Sequence, residues 1–220
     1  MRAMILAAGQ GVRMRPLTIK TPKPLLRVKG KPLIQYHVES LVRAGVHEIV
    51  INHAVMGEQI EAFLGDGHTL GAEIHYSAEG NTPLETGGGI FRALHLLGEQ
   101  PFIALNADIW TDYPLQNLPQ RLTTLAHLVL VGNPRHNLQG DFSLCGDNQV
   151  INQGTPRYTF SGIGVYQPEL FSDCRPGAFP LAPLLQKAVD ENRVTGELYT
   201  GIWSDIGTPE RLRAVQDINK

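Results

Sequence analysis

Residues 6–26, LAAGQGVRMRPLTIKTPKPLL, constrain this chain more than any other stretch. The apolar strand Ala3 to Leu6 opens there into a glycine loop that carries two arginines and then a lysine between two prolines. Gly9 and Gly11 are free to adopt positive φ and to let a ligand approach the main chain. Ala7 and Ala8 keep side-chain bulk away and leave backbone N–H groups available. Arg13, Arg15 and Lys23 add cations, and Pro22 and Pro24 stiffen the segment that presents Lys23. Together these features describe a cradle for phosphate; the competing reading is a plain turn with a solvated arginine rim. In Gly9-x-Gly11-x-x-Met14 a bulky methionine stands where a dinucleotide fingerprint needs its third glycine, which disfavours a Rossmann oxidoreductase. No Gly-Lys-Ser/Thr follows to complete a Walker A loop.

The rest of the chain sets the frame for that loop. At 220 residues, 42% hydrophobic and 18% charged, it fits a single α/β domain with a substantial core. A net charge of −2 offers no nucleic-acid or anionic-membrane surface, so the loop's positive charge is local and its expected partner is a small anion. Cys145 and Cys174 have no CxxC partner and read as free thiols. No apolar run approaches the length of a signal h-region or a membrane span, and a cytoplasmic location is expected.

Strand and helix signals alternate through the first half. Strands are predicted at Ala3 to Leu6, Glu48 to Asn52, Glu73 to Ser77 and Phe102 to Asn106, and helices at Pro32 to Ala44, Met56 to Leu64 and Gly88 to Leu97. Such alternation implies parallel strands with helices on both faces. The second half changes character: Leu128 to Val131, Phe142 to Cys145, Val150 to Asn152 and Phe160 to Tyr166 read as short antiparallel additions. Helices return at Ala182 to Glu191 and after Thr208, a good N-cap ahead of Pro209, running to about Ile218.

The pattern LAAGxGxRMRPLT followed by PKPLL resembles the signature of the sugar-1-phosphate nucleotidyltransferases, which join a nucleoside triphosphate to a sugar 1-phosphate and release pyrophosphate. Further blocks follow in the family's order: Leu84 to Gly89 (LETGGG), Leu105 to Asp108 (LNAD), Phe160 to Tyr166 (FSGIGVY) and Trp203 to Leu212 (WSDIGTPERL). The resemblance implies a Rossmann-like three-layer α/β/α fold with a mixed, mainly parallel central sheet and a small antiparallel sugar-side subregion. It also implies one domain over residues 1–220, with 1–110 mainly for the nucleotide and 111–220 mainly for the sugar and a second metal ligand. The compact length, the ETGGG and NAD variants and one missing element are most similar to the branch that uses UTP and N-acetylmuramate 1-phosphate in peptidoglycan recycling. Mannose- or glucose-1-phosphate nucleotidyltransferases are the runner-up, and a non-catalytic sugar-nucleotide-binding regulator is the alternative from another class. A monomer or weak homo-oligomer acting on small molecules alone, without nucleic acid or membrane, is expected.

Candidate site residues follow strands whose carboxyl ends should share one cleft. Asp108 is placed for a hard cation, with Asp205, after a short strand Gly201 to Ser204, as a second ligand for Mg²⁺; each also reads as an ordinary turn aspartate. By resemblance these two hold the metal, with Asp108 also at the sugar. Arg13 and Lys23 are the implied catalytic cations, Arg13 on the leaving phosphates and Lys23 bridging the α-phosphate and the sugar phosphate. Arg15 is expected to brace the loop, or simply to pack. Nucleotide contacts are expected from Leu6, Ala7, Ala8, Gly9, Gly11, Arg13, Lys23 and Asn106, and base recognition from Glu79, Glu85, Thr86 and Gly87. Thr86 alternatively caps the helix that follows. Ser161, Gly162 and Asp141 are the sugar-side candidates, although Asp141 also reads as a solvated loop carboxylate. The Glu-Lys-Pro element that many relatives carry is replaced here by Asn152 to Arg157, leaving open whether Arg157 stands in for its lysine.

Overall fold

The computed structural model describes residues 1–217, so the expected end of the last helix at Ile218 lies outside the described residues. The first half follows the predicted alternation. Strands β1 (Ala3–Leu6), β4 (Glu48–His53), β5 (Glu73–Ala78) and β6 (Phe102–Asn106) are parallel neighbours in the order β6-β1-β4-β5. A two-strand hairpin, β2 (Arg27–Val28) with β3 (Lys31–Pro32), follows the PKPLL segment. Helices α1 (Leu33–Arg43), α2 (Gly57–Leu64) and α3 (Glu85–Leu97) make the connections.

Alternation of side chains across the strands builds the layers. Ile5, Ile49, Ile51, Ile103 and Leu105 face α1 and α2, burying Ile34, Val38, Leu41, Ile60 and Leu64. Met4, Val50 and Ala104 face the other way, onto Ile90, Ala93 and Leu97 of α3 and Leu185 and Val189 of α4 (Ala182–Asp190). The fold is therefore a three-layer α/β/α sandwich with a mixed sheet, as the family resemblance implies.

The second half extends the sheet around β11 (Arg157–Tyr166), which runs antiparallel to β6, to β8 (Ala126–Val131) and to β9 (Phe142–Leu144); β10 (Val150–Ile151) continues beyond β9. Among the described residues, nine strands form this sheet. Its last member, β12 (Val194–Tyr199), lies parallel to β8 and had no counterpart in the sequence reading. Gly196 and Glu197 weaken the local strand signal, yet Gly196 is needed for close approach: a Cβ there would stand 2.8 Å from the Leu128 carbonyl and from a Val150 methyl. The longest strand is β11 itself, at ten residues, whose predicted start at Phe160 moves back to Arg157 because its first residues pair with β9.

Helix α3 starts at Glu85 and not at Gly88. Three consecutive glycines argue against helix in isolation, and the contacts that override this are described below. The strand expected at Gly201 to Ser204 is β13 (Trp203–Asp205), which pairs antiparallel with β7 (Ile109–Thr111). The last helix, α5 (Pro209–Gln216), begins as predicted, with Thr208 Oγ1 accepting the Arg211 N–H. Both cysteines are free, and among the described residues no helix is long and apolar enough to cross a membrane.

A third, smaller core lies under the glycine loop. Met14 is fully buried there with Leu26, Val28, Leu33, Trp110, Ile206 and Val215. The residue that spoils the dinucleotide fingerprint is thus the anchor that fastens the loop to the PKPLL segment, to Trp110 of β7 and to α5. Truncating it empties a packed site. Met14→Ala is expected to lower unfolding free energy by about 2–5 kcal/mol, read as a fall in the urea midpoint. A loss under about 1 kcal/mol would show that the anchor is dispensable.

Candidate active site

The carboxyl ends of three parallel strands meet in one row, with Leu6 of β1 in register with Asn52 of β4 on one side and Asn106 of β6 on the other. All three line a cleft of about 420 Å³, together with residues 7–14, Lys23, Glu85, Thr86 and Asp108. The nucleotide-side candidates Leu6, Ala7, Ala8, Gly9, Gly11, Arg13, Lys23, Glu85, Thr86 and Asn106 are therefore brought together as expected.

Within the loop the two glycines differ. Gly11 is left-handed at φ +61°, and a Cβ there would stand 3.0 Å from the Thr18 methyl. Gly9 does not take positive φ; it lies open, with nothing within 4 Å of a Cβ. Arg15 does not brace the loop. It is exposed, and the bracing comes from Thr18, whose hydroxyl donates to the Gly11 carbonyl at 2.7 Å, and from buried Met14.

Asn52 is the residue the sequence reading missed. It is 2% exposed; its Oδ1 accepts the Ala7 N–H at 2.8 Å and its Nδ2 donates to Glu79 at 2.6 Å. The second carboxylate oxygen of Glu79 accepts the Leu84 N–H at 2.7 Å. Glu79 is thus turned inward, as a link between β4 and the start of α3, and does not line the cleft as a base acceptor would. The one sequence signal for Asn52 is an amide at the end of the otherwise apolar run Ile49 to Ile51.

The three glycines of ETGGG each admit a different neighbour. A Cβ on Gly87 would stand 2.6 Å from the Phe179 ring, one on Gly88 2.2 Å from the Gly177 carbonyl, and one on Gly89 2.6 Å from Glu79 and 2.8 Å from Asn52. Gly87 is buried against Phe179 and lies outside the cleft lining, whereas Glu85 and Thr86 line it. Thr86 does not cap α3, whose N-cap position is Leu84.

A second cleft of about 440 Å³ shares Thr86 and Asn106 with the first. Asp141 lines it, with its carboxylate accepting the Phe160 N–H at 2.8 Å and the Asn137 amide at 3.1 Å. Ser161 does not reach this space: it is buried, its hydroxyl accepts the Ile163 N–H at 3.1 Å and its carbonyl accepts the Trp203 indole N–H at 2.9 Å. Gly162 acts from behind. It sits at φ +82° where β11 shifts register, and a Cβ there would meet the Asn106 amide at 2.5 Å.

Two pairs of charges complete the site. Lys23 is ion-paired with Asp108 in the turn between β6 and β7. Asp205 lies beside Ile109 across the β7–β13 pairing, and the Ile206 N–H donates to the Asp108 carbonyl at 2.7 Å. The Asp205 carboxylate itself is held by Arg211 at 2.5 Å and His136 at 3.1 Å and does not line the cleft. Among the described residues no group of three or more His, Cys, Asp or Glu is gathered to hold a metal by protein alone. Asp108 in the cleft lining, with Asp205 adjacent through the β7–β13 backbone pairing, suits Mg²⁺, which takes most of its ligands from water and phosphate and needs few from protein.

The family model for nucleotidyl transferases matches residues 2–143. The chain belongs to the nucleotidyl transferase family. It is 51% identical to N-acetylmuramate alpha-1-phosphate uridylyltransferase of Neisseria meningitidis over 98% of this chain and 97% of that one. The same-named protein of Caulobacter vibrioides is 33% identical over 97% and 95%. Among solved structures, a Bacillus anthracis protein described as a glucose-1-phosphate thymidylyltransferase superposes with a TM-score of 0.85 over 100% of this chain and 97% of that one, at 21% identity, which supports the fold.

The glycine contacts give this nucleotidyl transferase a test of sign. Gly→Ala within a helix ordinarily stabilises by about 1 kcal/mol. Gly89→Ala, in α3, should instead destabilise by at least about 1 kcal/mol in urea unfolding, because its methyl displaces the Asn52–Glu79 link. A gain in stability would show that this link yields freely.

Proposed function

We propose that this chain transfers the uridylyl group of UTP to N-acetylmuramate 1-phosphate, giving UDP-N-acetylmuramate and pyrophosphate. The observation that carries the reading is the pair of clefts meeting at Asn106 and Thr86, the first rimmed by the glycine loop, Arg13 and Lys23, the second free for a sugar. Near-full-length similarity to the N-acetylmuramate uridylyltransferases supports these substrates over mannose or glucose 1-phosphate. The reaction suits a cytoplasmic monomer or weak homo-oligomer working on two small molecules.

A phosphate monoester is already ionised at neutral pH, so in-line attack of the sugar phosphate on the α-phosphorus needs no general base. Alignment and charge neutralisation remain, and these fall to the loop and its cations. Backbone N–H groups of the loop and Arg13 take the β,γ-phosphates that leave. Lys23 exchanges Asp108 for the α-phosphate and the incoming sugar phosphate, holding the two reacting groups together. Asp108, with Asp205 once released from Arg211 and His136, would hold Mg²⁺, which supplies charge neutralisation at the triphosphate. Glu85 and Thr86 line the side of the cleft nearest α3 and are the residues assigned to the base.

A panel of nucleoside triphosphates and sugar 1-phosphates with pyrophosphate detection tests the reading. UTP-dependent release with N-acetylmuramate 1-phosphate is the expected result; turnover confined to mannose or glucose 1-phosphate, or binding without release, would refute it. Lys23→Ala is expected to lower kcat by about 100-fold or more while the thermal midpoint stays within a few degrees. Full turnover by that variant would remove Lys23 from the mechanism.

A further inference from the structure

The second cleft carries one cation in its lining, Arg157, and that cation is held in an unusual way. Its Nε donates to the Gln139 carbonyl at 3.0 Å, Nη2 to the carbonyls of Asp141 at 2.7 Å and Gly140 at 3.3 Å, and Nη1 to the Asn152 carbonyl. Four of the five N–H groups of the guanidinium are thus spent on neutral carbonyls, and one on Nη1 remains. Among the described residues no carboxylate forms an ion pair with it; Asp141, its neighbour in the lining, spends its carboxylate on the Phe160 N–H and the Asn137 amide. The four carbonyls fix the group in position without cancelling its charge. It is a rigidly held cation that faces the cleft with one N–H still to donate, and although Asp141 shares the lining, no ion pair ties the two together.

Its place along β11 decides what anion it meets. Gly162 backs Asn106, the residue shared with the phosphate-binding cleft, whereas Arg157 begins the same strand five residues earlier. The sugar phosphate belongs at the Asn106 end, so the cation serves a second acidic group at the other end of the acceptor. The walls between are largely apolar, with Phe142, Phe160, Leu181 and Leu185 suited to small methyl groups. We infer that Arg157 is a specificity-determining residue that binds the carboxylate of the acceptor sugar's lactyl ether, and does not replace the missing lysine at the phosphate. This rests on the acceptor being N-acetylmuramate 1-phosphate, whose lactyl group carries both a carboxylate and a methyl.

The test compares kcat/KM for N-acetylmuramate 1-phosphate and N-acetylglucosamine 1-phosphate, the same sugar without the lactyl ether, in the native protein and in Arg157→Gln. The ratio is expected to fall about 10- to 100-fold in the variant, mostly through KM, with Arg157→Lys in between. An unchanged ratio, with both substrates slowed alike, would make Arg157 only a clamp for the 139–141 loop and overturn the inference. Because Arg157→Gln loosens that loop, the native protein is also tested with the lactyl methyl ester. Neutralising the carboxylate should raise KM by a similar factor, and no effect would refute the inference independently of the variant's folding. Native protein that turns over neither amino sugar but does accept another sugar phosphate would signal failure of the proposed function itself.

Discussion

The hydrogen-bond relay from the Ala7 N–H through buried Asn52 and half-buried Glu79 to the Leu84 N–H is the constraint on which the site depends. It ties the first turn of the glycine loop to the end of β4, and β4 to the start of α3, so that both sides of the first cleft share one set of partners. Such a chain leaves little slack. Removing Asn52 strands the buried Ala7 N–H, a cost of the same order as a substantial part of a domain's net stability. It also explains why position 89 must lack a side chain, since the relay occupies the space where a Cβ would project.

Two further devices fix the rest of the cleft. The small core around Met14 and Trp110 brings the loop, the lysine segment, β7 and the last helix to one place, although they come from distant parts of the chain. The backbone pairing of Phe179 with Leu84 and Gly88, made possible by glycines at 87 and 88, then holds the segment before α4 against α3. Asn106 stands where the two clefts meet, and its orientation is set by an absent side chain at Gly162. Precision here comes from close backbone approach more than from added contacts.

The charges are arranged in mutually satisfied pairs. Lys23 lies on Asp108, and Arg211 with His136 on Asp205, so each acid assigned to a metal and the lysine assigned to phosphate has a protein partner in the absence of ligand. These pairs lie at part-exposed positions, where exchanging one ionic partner for another costs far less than exposing a buried charge. Arg157 differs in that, among the described residues, its hydrogen-bond partners are carbonyls, which leaves its charge available to a ligand.

What the sequence determined by itself was whatever depends on neighbours along the chain. The strand and glycine loop at residues 3–11, the alternation of β and α through Asn106 and the Thr208–Pro209 helix start are all local in origin, and they were legible for that reason. So was the clustering of loop residues at the carboxyl ends of parallel strands, because topology alone brings them together. Tertiary structure alone decided the direction of Glu79, the part played by Asn52, the helical start at Glu85 through three glycines, the extra strand β12 and the partners of Asp205 and Arg157. Each of these is set by contact between residues far apart in sequence, where packing and hydrogen bonding outweigh local preference, and no pattern of neighbouring residues encodes which distant group will arrive.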